Sequence, residues 1–177
     1  MTAGVHHGEL VVVTGMTGAG RSTAAKELED LGYYVVDNMP PSLVREVVRL
    51  VDESRGVEQP IAVVVDVRSG SFFESLQANL AQGATGRHAT LVFLEATDDV
   101  LVRRQEAARR PHPLQGAGRL LDGLHREREV LADLRSGADL VIDTTALNVH
   151  ELTDRIAEAF GTPDATRLKV STISFGF

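Results

Sequence analysis

Residues 10–23 combine residue types and spacing that suit the binding of a phosphate group. Their sequence is LVVVTGMTGAGRST, an apolar run followed by a glycine-rich turn. From Gly15 to Ser22 the spacing matches the phosphate-binding loop G-x-x-x-x-G-K-S/T, with Arg21 at the lysine position. Glycines let the backbone approach an anion closely, and successive N–H groups of such a turn can cradle it. The stretch therefore predicts a phosphate-binding loop, against the alternative of an ordinary tight turn.

Two side chains of this loop carry chemistry of their own. Ser22 supplies a hydroxyl that the motif assigns to Mg²⁺. Arg21 keeps a positive charge, but a planar guanidinium does not replace a lysine ammonium at a phosphate site without cost. We therefore expect nucleotide binding with slow hydrolysis. The predicted phosphate ligands are Gly15, Met16, Thr17, Gly18, Ala19, Gly20, Arg21 and Ser22.

Two carboxylates follow other apolar runs. Asp66 comes directly after residues 61–65, where P-loop proteins place a second acidic element that helps to hold Mg²⁺, so Arg21 and Asp66 are the candidate catalytic residues. The alternative for Asp66 is an ordinary aspartate at a strand end. Asp37 could orient an acceptor hydroxyl, as in small-molecule kinases, or cap the helix after Pro40. The residues thus leave open a nucleotide-dependent regulatory module, a small-molecule kinase and a nucleotide-dependent assembly protein.

Four arginines lie before the proline at position 111. Arg109 and Arg110 adjoin the glycine- and proline-rich stretch 112–118, so they could close over a nucleotide as a lid. The alternative for Arg109 and Arg110 is an ordinary surface position. At helical spacing these two and Arg103 and Arg104 do not all share one face, so we expect some of the four to be solvated.

Apolar runs alternate with amphipathic stretches along most of the chain. This alternation predicts an α/β fold of the P-loop NTPase type, a three-layer sandwich with a five-stranded, mostly parallel sheet and helices on both faces. Ligands bind at the carboxyl ends of strands in such sheets, which would gather residues 15–22, Asp37, Asp66 and Glu95. The predicted strands are 10–13, 33–36, 61–65, 90–94 and 138–142. The predicted helices are 20–31, 71–83, 97–111 and 119–136, with one more after Pro40 and one that begins at Asn148. The helix after Pro40 is predicted to have Leu43 on its inner face.

Composition narrows the class of protein further. The 177 residues contain no cysteine, which excludes disulfides and thiolate metal sites, and the net charge of −7 argues against a nucleic-acid-binding body. The chain shows neither an apolar run of membrane-spanning length nor a secretory leader, so we expect a cytoplasmic protein without a membrane span. Residues 1–162 are predicted to form the nucleotide-binding domain, and the apolar segment 163–177 to begin a second, truncated domain.

Several motifs taken together resemble the RapZ/YvcJ family of bacterial nucleotide-binding proteins, one member of which is an RNase adapter. They are residues 15–22, 27–32, 36–40, 66–69, 93–96, 109–114 and 174–177. The arginine at position 21 departs from the lysine that is usual in this family.

The resemblance implies a particular set of ligands and partners. It implies ATP at residues 15–22, GTP at Asp66, Val67, Arg68 and Ser69, and weak ATPase and GTPase activity. It also implies a further domain after residue 177, through which any contact with RNA would be made. We expect the full-length protein to form a homo-oligomer.

Overall fold

The computed structural model describes residues 8–66, 74, 76, 78, 86–108, 112–114 and 118–161. Within these ranges five strands alternate with helices, which confirms the predicted α/β sandwich. The strands are β1 (Leu10–Gly15), β2 (Tyr34–Met39), β3 (Ile61–Val65), β4 (Ala89–Glu95) and β5 (Leu140–Asp143). The helices are α1 (Arg21–Asp30), α2 (Val44–Arg55, after a 3-10 turn at Pro41–Leu43), α3 (Asp98–Ala108), α4 (Leu120–Ser136) and α5 (Val149–Phe160).

The five strands form one parallel sheet in the order β2-β3-β1-β4-β5. Leu10 of the central strand pairs with Ile61 of β3 on one side and with Ala89 of β4 on the other. All residues of β1 and β3 are buried. This burial explains their uninterrupted apolar runs, because both faces of a parallel sheet are covered by helices.

The connections of the sheet place its ligand-binding crevice beside β1. In this strand order β2 lies on one side of β1 and β4 lies on the other, so the order of the strands reverses beside β1. Helix α1 packs against α5, and α3 packs against α4. Open α/β sheets bind ligands at such a reversal, outside the carboxyl ends of the strands, so we expect the ligand site of this sheet near Gly15 and Asp66.

Strand β2 runs further than its apolar segment predicts. It continues through Asp37 and Asn38 to Met39, which pairs with Val65, and its register with β3 is irregular after Val36. Asn38 lies at this irregularity and has φ +54°, a backbone conformation that asparagine tolerates better than most residues. Asp37 therefore lies within the strand rather than at its end.

The prediction that Leu43 faces the core is wrong. Its side chain is 49% exposed because it lies in the 3-10 turn before α2 and not on the apolar stripe of that helix. The stripe itself is confirmed by the buried side chains of Val44, Val48 and Val51.

Some sequence predictions concern residues outside the described ranges. Of the helix predicted over 71–83, Glu74, Leu76 and Ala78 are described and are helical. The tail 163–177, with the domain boundary placed before it, lies outside the described residues. Among the helices that the structure describes, none is long and apolar enough to cross a membrane.

Candidate functional site

The loop between β1 and α1 is built against the backbone of β4. Gly15 has φ +138°, and a Cβ at this position would lie 2.1 Å from the carbonyl oxygen of Leu94. The N–H of Met16 donates to that same oxygen at 2.9 Å. A side chain at residue 15 would therefore force β1 and β4 apart, which gives a physical reason for the first glycine of the motif.

The other end of the loop leaves the amino terminus of α1 uncapped. Gly20 is the N-cap with φ +105°, and no side chain caps the helix or places a negative charge in its first turn. The missing Cβ of Gly20 would lie 2.5 Å from Cδ2 of Leu152, so α5 packs directly against the backbone here. The partial positive charge of the helix end is consequently left for a ligand.

Four backbone donors of the loop are open. In the part of the chain that the structure describes, the N–H groups of Gly18, Gly20, Arg21 and Ser22 make no hydrogen bond. The N–H groups of Met16 and Ala19 are used within the fold, donating to the carbonyl oxygens of Leu94 and Met16 respectively. The open donors of the predicted eight-residue cradle therefore lie at residues 18 and 20–22, the part of the loop next to α1, which is called its open half below.

Arg21 lies beside the second candidate catalytic residue. Its Nη1 is 3.3 Å from Oδ1 of Asp66 and 3.4 Å from the carbonyl oxygen of Val65, and both charged side chains are 18% exposed. Ser22 is exposed in the first turn of α1. A hydroxyl and a carboxylate are hard oxygen donors of the kind that bind Mg²⁺ together with ligand phosphates, so the donor set fits that ion.

Arg104 and Thr144 hold the loop from the side of β5. The guanidinium donates to the carbonyl oxygen of Gly18 at 3.2 Å and to the hydroxyl oxygen and carbonyl oxygen of Thr144 at 2.9 and 2.8 Å. The hydroxyl of Thr144 in turn donates to the carbonyl oxygen of Ala19 at 3.0 Å. The sequence did not show which of the four arginines are solvated, and the structure places Arg104 against the loop.

A carboxylate from α4 also reaches the loop. Glu127 accepts the N–H of Thr17 at 3.0 Å and its hydroxyl at 2.6 Å. The carboxylate also contacts Nε2 of His112 at 3.0 Å, and both side chains are almost completely buried. Sequence reasoning missed Glu127 because glutamates on a charged helix are common and its spacing from the loop follows no motif.

A cavity of about 410 Å³ adjoins the open half of the loop. Its walls are apolar over much of their area and include the exposed side chain of Val149, which is 70% accessible. The lining residues are Gly18, Ala19, Gly20, Thr23, Arg104, Thr144, Leu147, Asn148, Val149 and Leu152.

Other carboxylates at the same edge of the sheet have local partners. Asp37 is exposed and accepts the N–H of Asn38 at 2.7 Å, and neither the 3-10 turn after Pro40 nor α2 has a side-chain cap, so the predicted capping role is wrong. The Arg128 guanidinium lowers the pKa of Asp98, which it contacts at 2.5 Å. Glu95 is paired with Arg135 at 2.6 Å. These groups contribute fixed charge around the loop without entering it.

The remaining predicted site residues lie outside the described ranges. They are Val67, Arg68 and Ser69 of the segment after β3, and Arg109 and Arg110 of the predicted lid. The GTP site and the lid therefore stay predictions from the sequence.

Comparison with known proteins gives both a family and similar relatives. The sequence model of the RapZ-like N-terminal domain matches residues 8–164. A nucleotide-binding protein of Nocardioides sp. is 87% identical over 170 residues, which cover 96% of this chain and 56% of the relative. A nucleotide-binding protein of Streptomyces coelicolor is 54% identical over 180 residues, covering 99% and 60%. The chain thus spans somewhat more than half the length of these relatives.

Solved structures resemble the chain in fold at low sequence identity. A shikimate kinase of Acinetobacter baumannii in complex with shikimate has a TM-score of 0.59 at 16% identity and covers 90% of this chain and 95% of its own. A gluconokinase of Sinorhizobium meliloti has a TM-score of 0.53 at 19% identity, with 87% and 92% covered. These similarities establish the P-loop kinase-like fold and nothing finer.

Proposed function

The chain belongs to the RapZ-like N-terminal domain family, and from this membership and the geometry of the loop we propose that it binds a nucleoside triphosphate. The phosphates would lie at residues 15–22, with Mg²⁺ at Ser22 and Asp66. The relatives described above are named nucleotide-binding proteins, which agrees with this assignment.

The observation that carries the proposal is the set of open donors at the start of α1. The N–H groups of Gly18, Gly20, Arg21 and Ser22 have no partner among the described residues, and no carboxylate occupies the first turn of the helix. Gly20 and Arg21 are half-buried, and N–H groups at such positions are normally paired. Together with the exposed Gly18 and Ser22 they form a cluster of open donors at a helix terminus, which favours an anionic ligand.

The nucleobase would occupy the cavity beside the open half of the loop. The apolar side chains of Leu147, Val149 and Leu152 offer surface for a planar ring, and Arg104 borders the same space. The Asn148 side chain is already committed to capping α5, where it accepts the N–H of Glu151 at 3.0 Å. Nothing in this wall favours adenine over guanine, so we propose that the loop accepts either ATP or GTP, and the separate GTP site at residues 66–69 stays a prediction from the sequence.

Slow hydrolysis follows from the position of Arg21. A lysine at this position would carry a compact charge toward the β- and γ-phosphates, where negative charge develops during transfer. The longer guanidinium instead reaches Asp66 at 3.3 Å, which partly neutralises it. We propose that Arg21 and Asp66 support binding and Mg²⁺ coordination better than turnover.

We further propose that the nucleotide state acts on a domain beyond this chain. The relatives are longer, since the aligned residues cover 56% and 60% of their lengths. The acidic balance of this chain, with a net charge of −7, fits a regulatory domain that leaves contact with RNA to another part of the protein. Homo-oligomerisation of the full-length protein belongs to the same proposal.

Calorimetric titration of ATP and GTP, with and without Mg²⁺, tests the binding proposal. We expect saturable, Mg²⁺-dependent binding of at least one triphosphate, and no heat of binding to either would refute it. The rate of ATP and GTP hydrolysis by Arg21→Lys tests the proposal that Arg21 slows turnover. Arg45→Lys, on the exposed side of α2, is the control. We expect faster hydrolysis for Arg21→Lys alone, and a slower Lys variant would contradict the reasoning.

The same protein preparation can be used to test the alternative function, which is phosphoryl transfer from ATP to a small acceptor. Asp37, its candidate base, lies exposed within β2 and is engaged by its own neighbour. Incubation with ATP and a panel of small hydroxylated acceptors would reveal transfer. Transfer much faster than hydrolysis would replace the regulatory proposal with a kinase.

A further inference from the structure

Glu127 brings a buried negative charge to a loop that is proposed to bind a polyanion. Its side chain is 6% exposed, and its carboxylate accepts both the N–H and the hydroxyl of Thr17. Burying a carboxylate is costly unless hydrogen bonds compensate for the lost water. The pairing with Thr17 supplies that compensation, and it also fixes a residue in the first half of the loop.

His112 completes the arrangement from the opposite side. The N–H of Leu114 lies 3.1 Å from Nδ1 of the ring and donates to it, which places the ring proton on Nε2. Nε2–H then donates to Oε2 of Glu127 at 3.0 Å. The carboxylate is therefore held between the loop and the 112–114 turn, and its remaining freedom is small.

The loop is divided by this contact into two halves with different roles. The N–H of Thr17 is already paired with an internal anion, whereas the N–H groups of Gly18, Gly20, Arg21 and Ser22 are open among the described residues. A ligand phosphate bound to the open half would sit close to the residue that Glu127 fixes. The position of Thr17 consequently sets where the following N–H groups point.

We propose that Glu127 is a positioning residue of the phosphate loop, acting on bound phosphates through Thr17 and held in place by His112. The effect on a ligand rests on the proposed nucleotide binding, but the effect on the loop does not. The opposite interpretation is that Glu127 competes with phosphate as an internal anion. The two interpretations predict opposite changes in affinity when the charge is removed.

The first experiment measures hydrogen exchange of the peptide containing Thr17 in the absence of nucleotide. The variant is Glu127→Gln, and the matched control is Glu129→Gln, an exposed glutamate two residues further along α4. The glutamine amide lacks the charge, and its NH₂ group would face the N–H and hydroxyl of Thr17 or the Nε2–H of His112, which are all donors. We therefore expect faster exchange around Thr17 for Glu127→Gln only. Equal exchange in wild type and Glu127→Gln would overturn the proposal.

The second experiment measures the affinity for Mg·ATP and Mg·GTP. We expect Glu127→Gln to bind about tenfold more weakly, the scale of losing a hydrogen bond to a charged group. Thr17→Val, which removes the hydroxyl but keeps the shape, should weaken binding in the same direction, and Thr17→Ser should restore it. Equal melting temperatures of wild type, Thr17→Val and Thr17→Ser would show that the changes in affinity do not come from changes in overall stability.

The possible outcomes distinguish a failure of the Glu127 proposal from a failure of the proposed nucleotide binding. If wild type binds no nucleotide, the proposed function fails, while the exchange experiment still decides whether Glu127 holds the loop. Tighter binding by Glu127→Gln would overturn positioning in favour of competition. Unchanged affinity in both Glu127→Gln and Thr17→Val would also overturn it, and if Glu127→Gln does not fold, the Thr17→Val and Thr17→Ser pair decides alone.

Discussion

Replacing Gly20 with alanine tests how tightly the loop is packed against α5. The new Cβ would lie 2.5 Å from Cδ2 of Leu152, inside normal contact distance, at a residue with φ +105°. Two costs therefore combine at one atom, the strain of a left-handed backbone and the overlap with a buried leucine. Gly32→Ala is a matched control, because Gly32 has φ +93° and a Cβ added there would meet no described atom within 4 Å.

The two costs have different magnitudes and can be separated. Left-handed backbone costs a residue with a Cβ about 1–2 kcal/mol, which is the whole effect expected for Gly32→Ala. Overpacking a buried contact adds about 1–3 kcal/mol, so Gly20→Ala should cost about 2–5 kcal/mol in total. Domains of this size are stable by about 5–15 kcal/mol, so a loss of about 2–5 kcal/mol leaves the variant folded over most of that range.

Urea denaturation of the single variants and of Gly20→Ala/Leu152→Ala measures both terms. Leu152→Ala alone should cost about 2–5 kcal/mol, because its side chain is buried. The double variant should cost less than the sum by about 1–3 kcal/mol, because the overlap disappears with the leucine. Additive costs, or equal costs for Gly20→Ala and Gly32→Ala, would refute the packing argument.

Two further predictions concern charged and ionisable groups away from the loop. Asp52 contacts Arg87, whose side chain is 3% exposed. Asp52→Asn should therefore lower the free energy of unfolding, measured in urea, by about 2 kcal/mol. Glu53→Gln on the exposed face of α2 should change it little, and equal effects of the two substitutions would contradict this prediction. Burial raises the pKa of Tyr33, whose hydroxyl donates to Glu9 at 2.7 Å. The folded state then keeps a proton that the unfolded chain loses, so stability should fall as the pH rises above about 10, and Tyr33→Phe should weaken that fall in urea titrations at alkaline pH.

The sequence predicts those parts of the fold that depend on local order. The strand 61–65 is placed with its observed bounds, because a buried parallel strand is an uninterrupted apolar run between polar or turn-forming residues. The helix start at Asn148 is also correct, since capping joins residues three apart: its side chain accepts the N–H of Glu151, and the Glu151 carboxylate accepts the N–H of Asn148 in return.

Strand ends are predicted less well, because pairing with a neighbour decides them. β2 includes two polar residues, Asp37 and Asn38, that no apolar pattern would add to a strand. Their inclusion depends on Met39 reaching Val65 of β3, a contact between segments that are 26 residues apart along the chain. A pattern confined to one window of sequence carries no information about such a partner.

The side chains that shape the loop show the same limit at longer range. Glu127 and Thr17 are 110 residues apart, and Thr144 and Ala19 are 125 apart. Arg104 reaches Gly18 across 86 residues. The motif identifies the backbone that would receive a phosphate, but the groups that position this backbone are known only once the sheet has brought α3, α4 and β5 to its edge.

These contacts change the electrostatic picture of the loop. The sequence alone gives it one strong cation, Arg21, yet that guanidinium lies beside Asp66, and Glu127 adds a second carboxylate on the side of Thr17. Arg104, which contacts the carbonyl oxygen of Gly18, is a second cation at the loop. Two arginines therefore face two carboxylates, and a bound polyphosphate would gain little from the side-chain charge. The attraction must come from backbone N–H groups, the positive end of α1 and Mg²⁺, whose strength depends on geometry more than on net charge. Because Glu127 and Arg104 contact the loop from two sides, we expect substitutions that disturb its shape to change nucleotide affinity more than substitutions that change its net charge.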